Sequence, residues 1–216
     1  MILTRRAFTA ALSLTGLGLL AGFSPLRLIT EAAAQTAADV AKPGSLPDMA
    51  LGPANATVTI TEYASMTCPH CARFFANVFP ELKAKYIDTG KVKFILREFP
   101  LDAYAAAGAL LMRCAGPDKR EALAGLIWSR LDQWAANPKP LAGLLDVVKV
   151  AGFTQDSFNT CLANKDLYGK LKVGQDIASN KFQVDSTPTF FINGKRVSGE
   201  TSLDDFSKII DPLLSK

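Results

Sequence analysis

Histidine is almost missing from this chain: His70 stands alone among 216 residues. A structural zinc site takes four ligands, usually with a second cysteine pair or more histidines. Here such a site would have to draw Cys114 and Cys161 to Cys68 and Cys71 across much of the chain, which argues against metal. Excess charge is missing too. The formal net charge of +4 falls to +2 once Arg5, Arg6, Arg27 and Glu31 are set aside with the N-terminal segment, and the basic residues form no long run. That balance gives no argument for a nucleic-acid partner. Internal repeats and low-complexity tracts are absent beyond the N-terminal segment. The apolar stretch from Ala10 to Phe23 is shorter than the ~20 residues a spanning helix needs, and Gly16, Gly18 and Gly22 interrupt it.

What the N-terminus does contain is ordered like an export signal. Arg5-Arg6 precedes the apolar stretch, and small residues follow around Ala32-Ala33-Ala34. Residues 1–34 therefore read as a cleaved secretory signal, with retention as a membrane anchor as the alternative. Thr4-Arg5-Arg6-Ala7-Phe8 resembles a twin-arginine signal, although two arginines serve the general secretory route equally well. The expected location is the periplasm. The remaining stretch of roughly 180 residues suffices for one sizeable core. All four cysteines lie in it, an even count that permits disulfides in an oxidising compartment.

Residues 35–52, rich in Ala, Pro and Gly, read as a flexible leader. Val58 to Glu62 reads as a strand. From Pro69 to about Asp88 the residues Phe74, Phe75, Val78, Phe79, Leu82 and Tyr86 recur at helical spacing, with Pro80 expected to kink the helix. Val92 to Phe99 reads as a second strand. Residues 102–182 change character to Ala- and Leu-rich segments broken by Gly116-Pro117, Asn137-Pro138 and Asn164-Lys165-Asp166, which predicts four or five short helices. Thr189 to Ile192 and Arg196 to Ser198 flank Asn193-Gly194-Lys195, a hairpin signal because both turn positions need positive φ. Leu203 to Leu214 reads as a closing amphipathic helix that Asp211-Pro212 could shorten. The order predicts a mixed α/β domain over residues 53–216, interrupted by a helical insertion at about 102–182.

Cys68-Pro69-His70-Cys71 carries the chemistry. Thiol–disulfide exchange needs a thiolate, and an ordinary cysteine at neutral pH is mostly thiol. A cysteine at a helix N-terminus meets partial positive charge and unpaired N–H groups. Pro69 suits the first helical position. His70 is expected to add a proton-dependent charge beside the sulfur. Each effect lowers the pKa of Cys68 and makes the disulfide more oxidising. Cys71, one turn further in, is the expected resolving thiol. An inert structural disulfide is the bland alternative, but so short a loop restrains little. Glu62, six residues before Cys68 on a strand, is expected to be buried and protonated and to relay protons to Cys71, unless the strand lies at an edge. Thr187-Pro188 opens the hairpin strand, where a proline is tolerated, and base rates alone do not favour a cis bond. The short spacing of Cys68 and Cys71 leaves Cys114 with Cys161 as natural partners, two buried free thiols being the alternative. Trp128 and Trp134 read as core. Tyr63, Met66, Phe74 and Phe75 could form an apolar rim for client chains, though Phe74 and Phe75 fit a helix core equally.

The run Glu62-Tyr63-Ala64-Ser65-Met66-Thr67-Cys68-Pro69-His70-Cys71 followed by Phe74-Phe75, together with Arg97-Glu98-Phe99-Pro100-Leu101 and Ser186-Thr187-Pro188-Thr189-Phe190, resembles DsbA-family thiol oxidoreductases. The resemblance implies a thioredoxin-like domain with an inserted helical domain, Cys68 as surface nucleophile and Cys71 as its buried partner. It implies a cis Pro188, Thr187 offering backbone bonds to a bound polypeptide, and Glu62 as the family's buried acid. Implied partners are reduced or misfolded exported polypeptides and a membrane quinone-linked thiol oxidase. No cofactor or metal is called for, and a monomer is expected. Thr187 is more typical of isomerase and reductase relatives than of the strongest oxidases. Cys114 and Cys161 look like the second disulfide of certain α-proteobacterial members. Closing that loop would contribute roughly 4 kcal/mol.

Overall fold

The computed structural model describes residues 38–215. A five-stranded sheet forms its centre, in the order β1-β3-β2-β4-β5. The strands are β1 (Met49–Leu51), β2 (Val58–Ala64), β3 (Val92–Glu98), β4 (Thr189–Ile192) and β5 (Lys195–Ser198). β2 and β3 run parallel, and the other pairs are antiparallel. β2 is thus central, hydrogen-bonded on both sides, and nearly all of it is buried. Asn193 and Gly194 take φ of 44° and 82° in the β4–β5 turn, as an Asn-Gly hairpin requires.

The crossover between β2 and β3 is helical but not continuous. α1 spans Pro69–Asn77, α2 spans Phe79–Leu82, and a π-type turn follows over Lys83–Ile87. Pro80 has no N–H to give to the carbonyl one turn back, so the helix breaks at Val78 while the backbone stays right-handed. Phe74, on α1, meets Phe190 of β4 at 4.8 Å between ring centroids. Phe190 meets Phe206 at 5.0 Å, on α9 (labelled in chain order with the helices below), which spans Leu203–Leu214. Each buried phenylalanine contributes about 1.5–3 kcal/mol by area, and this trio locks α1 and α9 to one face of the sheet. Pro212 does not shorten α9, which runs on to Leu214.

Residues 103–182, between β3 and β4, are the helical insertion. They hold α3 (Ala103–Cys114), α4 (Arg120–Ser129), α5 (Leu131–Ala135), α6 (Pro140–Lys149), α7 (Gln155–Leu162) and α8 (Lys165–Phe182). The division is finer than the four or five helices expected. Trp128 and Trp134 are in the core, as read from the sequence. Cys114 and Cys161 form a disulfide between the ends of α3 and α7. The mixed α/β fold with an inserted helical domain is therefore the architecture observed.

One expectation is corrected. From residue 38 the stretch read as a flexible leader is packed: residues 38–41 form a helical turn, Val40 is buried, and β1 pairs with β3. The reason lies far along the chain. Arg97 on β3 donates to the carbonyls of Val40 (2.9 Å) and Lys42 (2.8 Å) and forms a two-bond ion pair with Asp48. Arg113 on α3 donates to Pro47 O and pairs with the buried carboxylate of Glu98. Two arginines satisfy carbonyls that local composition leaves open. The export signal read over residues 1–34 lies outside the described residues. Among the described residues, no helix is long and apolar enough to cross a membrane.

Candidate active site

The loop between β2 and α1 delivers Cys68 to the helix end, and the helical insertion holds that loop in place. Trp128 Nε1 on α4 donates to Ser65 O at 3.0 Å. Thr67 Oγ1 donates to Asp102 Oδ2 at 2.6 Å, while Asp102 Oδ1 caps α3 by accepting from Ala105 N–H at 2.7 Å. Met66 lies against Gly108 of α3, where a Cβ would come within 2.9 Å of the Met66 Cβ. Any larger residue at Gly108 would push the loop away. Cys68 itself occupies the N-cap of α1 in an extended conformation, with Pro69 as the first helical residue. Its side chain makes no capping bond, so its sulfur faces N–H groups that only an anion would satisfy fully.

Across from this helix end lies the Thr187-Pro188 peptide, which is cis. Cys68 Sγ–H donates to Thr187 O at 3.2 Å in the thiol form. The Thr187 hydroxyl is buried without another partner, which leaves it available as a donor to the ionised sulfur. Cys68 and Cys71 are free thiols here. Their environments push them apart. The Cys68 thiol is lowered to about 5, first by the hydrogen bond from Cys71 and then, against the opposing effect of burial, by Thr187 and the backbone N–H groups of Cys71 and His70. Burial drives Cys71 far up, and the bond it makes to Cys68 and the charge of Glu62 push the same way. Glu62, on central β2 between Leu96 and Phe190, is buried, and its carboxyl is raised well above the usual range by desolvation and then by the Cys68 charge. Its Oε1 has no hydrogen-bond partner. A thiol lowered, a neighbouring thiol raised and a raised carboxyl in one buried cluster are what a proton-coupled thiol exchange requires.

The comparisons with known proteins agree with this geometry. A family model described as Thioredoxin matches residues 45–212. Wolbachia pipientis alpha-DsbA1 superposes with a TM-score of 0.73 at 34% identity, covering 78% of this chain and 91% of that one. The chain belongs to the DsbA family of thioredoxin-fold proteins. An inferred protein-disulfide oxidoreductase of Rickettsia conorii is 35% identical over 170 residues, 78% of this chain and 61% of that one. The chain thus spans a little over three-fifths of the length of the curated relatives it matches first. A Novosphingobium aromaticivorans structure titled as a protein-disulfide isomerase also matches, with a TM-score of 0.70 at 25% identity, covering 77% of this chain and 97% of that one.

In this DsbA-family chain the residues singled out by sequence, Cys68, Pro69, His70, Cys71, Glu62, Thr187 and Pro188, converge on one site, while Cys114 and Cys161 sit apart in the insertion. Three expectations are corrected. Cys68, expected at the surface, is only 4% exposed, because the Thr187-Pro188 loop packs over its sulfur. The His70 ring, expected beside the sulfur, instead meets Arg73 and Glu200. What His70 gives Cys68 is its backbone N–H. Tyr63, Met66 and Phe74 are buried and belong to the core and not to an apolar rim, while Phe75 is half-buried and stacks on Phe79 at 4.8 Å. Sequence reasoning missed Ser65, Thr67, Asp102 and Trp128, which shape the loop, and Arg73 and Glu200. Arg73 carried a faint signal, three residues from His70 on the same helix face. Glu200 carried none, being 130 residues away.

Proposed function

We propose that this chain is an exported thiol:disulfide oxidoreductase that introduces disulfides into folding proteins in the periplasm. The observation that carries the reading is the opposite displacement of two neighbouring thiols, Cys68 down to about 5 and Cys71 up, beneath the cis Thr187-Pro188 peptide. A stabilised Cys68 thiolate stabilises the reduced pair, which makes its disulfide a strong oxidant. Residues 1–34 serve as the cleaved export signal, by the twin-arginine or the general route.

In the forward direction a client thiolate attacks Cys68 Sγ of the Cys68–Cys71 disulfide. The S–S bond breaks, its electron pair leaves on Cys71, and Cys71 takes a proton supplied by Glu62. A second client thiolate then attacks the client sulfur of the mixed disulfide and expels Cys68 as a thiolate. The client loses two electrons and gains a disulfide, and the protein gains two electrons and becomes the dithiol. Pro69 starts the helix without a wasted donor, His70 lends its N–H, Pro188 faces the sulfur pair, and Thr187 offers its backbone to the client chain. The Cys114–Cys161 disulfide is structural. No cofactor takes part; a membrane quinone-linked thiol oxidase regenerates the disulfide, and the working unit is a monomer.

The test is a single turnover. Oxidised protein mixed with a reduced dithiol peptide should oxidise one peptide per Cys68–Cys71 pair, and Cys68→Ser should abolish this. An unchanged peptide with the wild-type protein would overturn the proposal. A second reading, an isomerase holding the same pair as a dithiol, is favoured by Thr187 and by the likeness to the Novosphingobium aromaticivorans structure. Efficient refolding of a scrambled disulfide protein by the reduced form, without net oxidation, would favour it.

A further inference from the structure

Two exposed side chains outside the cysteine pair meet at the rim of the site. Arg73, two residues past Cys71 on α1, grips Glu200 in the segment between β5 and α9 through two parallel bonds, Nε to Oε1 and Nη2 to Oε2, both 3.0 Å. Arg73 Nη2 also lies 2.7 Å from His70 Nδ1, which is itself 3.1 Å from Glu200 Oε2. One ring nitrogen cannot serve both neighbours in one state. Unprotonated, it accepts from Arg73; carrying a proton, it donates to Glu200. The same short segment reaches the opposite wall, where Gly199 N–H donates to Pro188 O at 2.9 Å. It therefore bonds to both elements that flank Cys68, α1 and the cis Thr187-Pro188 turn.

As a stabilising contact the exposed pair is worth little. Its consequence is the charge it places near the reactive sulfur. The Cys68 thiolate is among the groups that hold the Arg73 cation, after Glu200. Glu200 is held down to about 2, chiefly by Arg73 and His70, so it stays ionised wherever exchange runs.

We propose that Arg73 and Glu200 form a charge-balancing pair that sets the poise of the Cys68–Cys71 couple, Arg73 favouring the Cys68 thiolate and Glu200 offsetting that cation. The inference rests on the thiol-exchange reading above. In exchange with glutathione, the protein disulfide and two glutathione thiols become the protein dithiol and one glutathione disulfide. Two electrons pass to the protein, Cys71 keeps one proton, and the other is released as Cys68 stays ionised. Negative charge thus appears at Cys68 only in the reduced state, and fixed charge beside it moves the equilibrium. Arg73 and Glu200 are positioning residues, since neither touches a reacting atom.

The experiment compares the wild-type protein with Glu200→Gln, Arg73→Gln, the double variant and Arg73→Lys. Two quantities are read: the equilibrium constant with glutathione and the ultraviolet titration of the Cys68 thiolate. Glu200→Gln should shift the equilibrium toward the dithiol, and Arg73→Gln toward the disulfide, each about two- to fivefold at low salt. The double variant should return close to wild type, Arg73→Lys should shift less than Arg73→Gln, and high salt should shrink every difference. A merely structural clamp would move both single variants the same way, and that result, or no movement in either, overturns the proposal. If the wild-type protein failed to exchange with glutathione at all, the underlying functional reading would fall instead.

Discussion

Acidification should remove stability from the reduced protein that the oxidised protein never had. Cys68 titrates at about 5 in the folded dithiol, against an ordinary cysteine value near 8.5 in the unfolded chain. A folded pKa below the unfolded one means that the unfolded chain binds more protons between these values, so the contribution is complete above pH 8.5 and disappears as pH falls through 5. At pH 7 about two units of the displacement are already expressed, at 1.36 kcal/mol each, or about 2–3 kcal/mol. The oxidised protein has no thiol at Cys68 and lacks this contribution. Glu62 pulls the other way in both forms: its carboxyl is raised, so its contribution is complete below the unfolded carboxylate pKa and declines as pH rises toward the folded value. Taking reduced minus oxidised removes the part of Glu62 that both forms share. Urea unfolding of the two forms at half-unit steps from pH 5 to 8.5 measures the difference directly. The reduced form should gain on the oxidised form across that window, and Cys68→Ala, which cannot form the disulfide, should show no such gain when set against the oxidised wild-type protein. A difference that stays flat from pH 5 to 8.5 would refute the thiolate assignment.

Three further outcomes follow from particular contacts. Glu62→Met removes a buried carboxyl with an unpartnered oxygen and should stabilise the fold by about 1–2 kcal/mol in urea titrations, while slowing the exchange step that protonates Cys71. Trp128→Phe removes the bond to Ser65 O and part of a buried indole, and should cost about 2–3 kcal/mol and lower the exchange rate with a dithiol peptide. Cys114→Ala with Cys161→Ala opens a cross-link between residues 47 apart, and should lower stability by up to about 4 kcal/mol, with the Cys68 thiolate still titrating near its original value.

Features set by neighbours along the chain were legible in the sequence. Val58-Thr59-Ile60 as a strand, Asn193-Gly194 as a turn and Pro80 as a helix break each depend on backbone chemistry within a few residues. Cys68 at the N-terminus of α1 belongs with them. The burial of Glu62 was legible for a different reason: a strand of the central pair leaves no wet face. What escaped depended on contacts between residues far apart in the chain or on side-chain donors with several partners to choose from. Residues 38–52 looked unstructured because the two arginines that bind their carbonyls lie on β3 and α3. His70 looked like a cation for Cys68 because nothing nearby in the sequence announces Glu200. The cis bond before Pro188 was invisible to base rates and came only with the family resemblance.

The most direct test of the account is the reduction potential of the Cys68–Cys71 couple, obtained by equilibrating the purified protein with glutathione of known redox ratio and trapping the thiols. A thiolate held near pH 5 at a helix end requires a disulfide more oxidising than glutathione, clearly above the range of about −200 to −300 mV where reducing thiol couples lie. A potential near the value of about −270 mV typical of thioredoxin would contradict it.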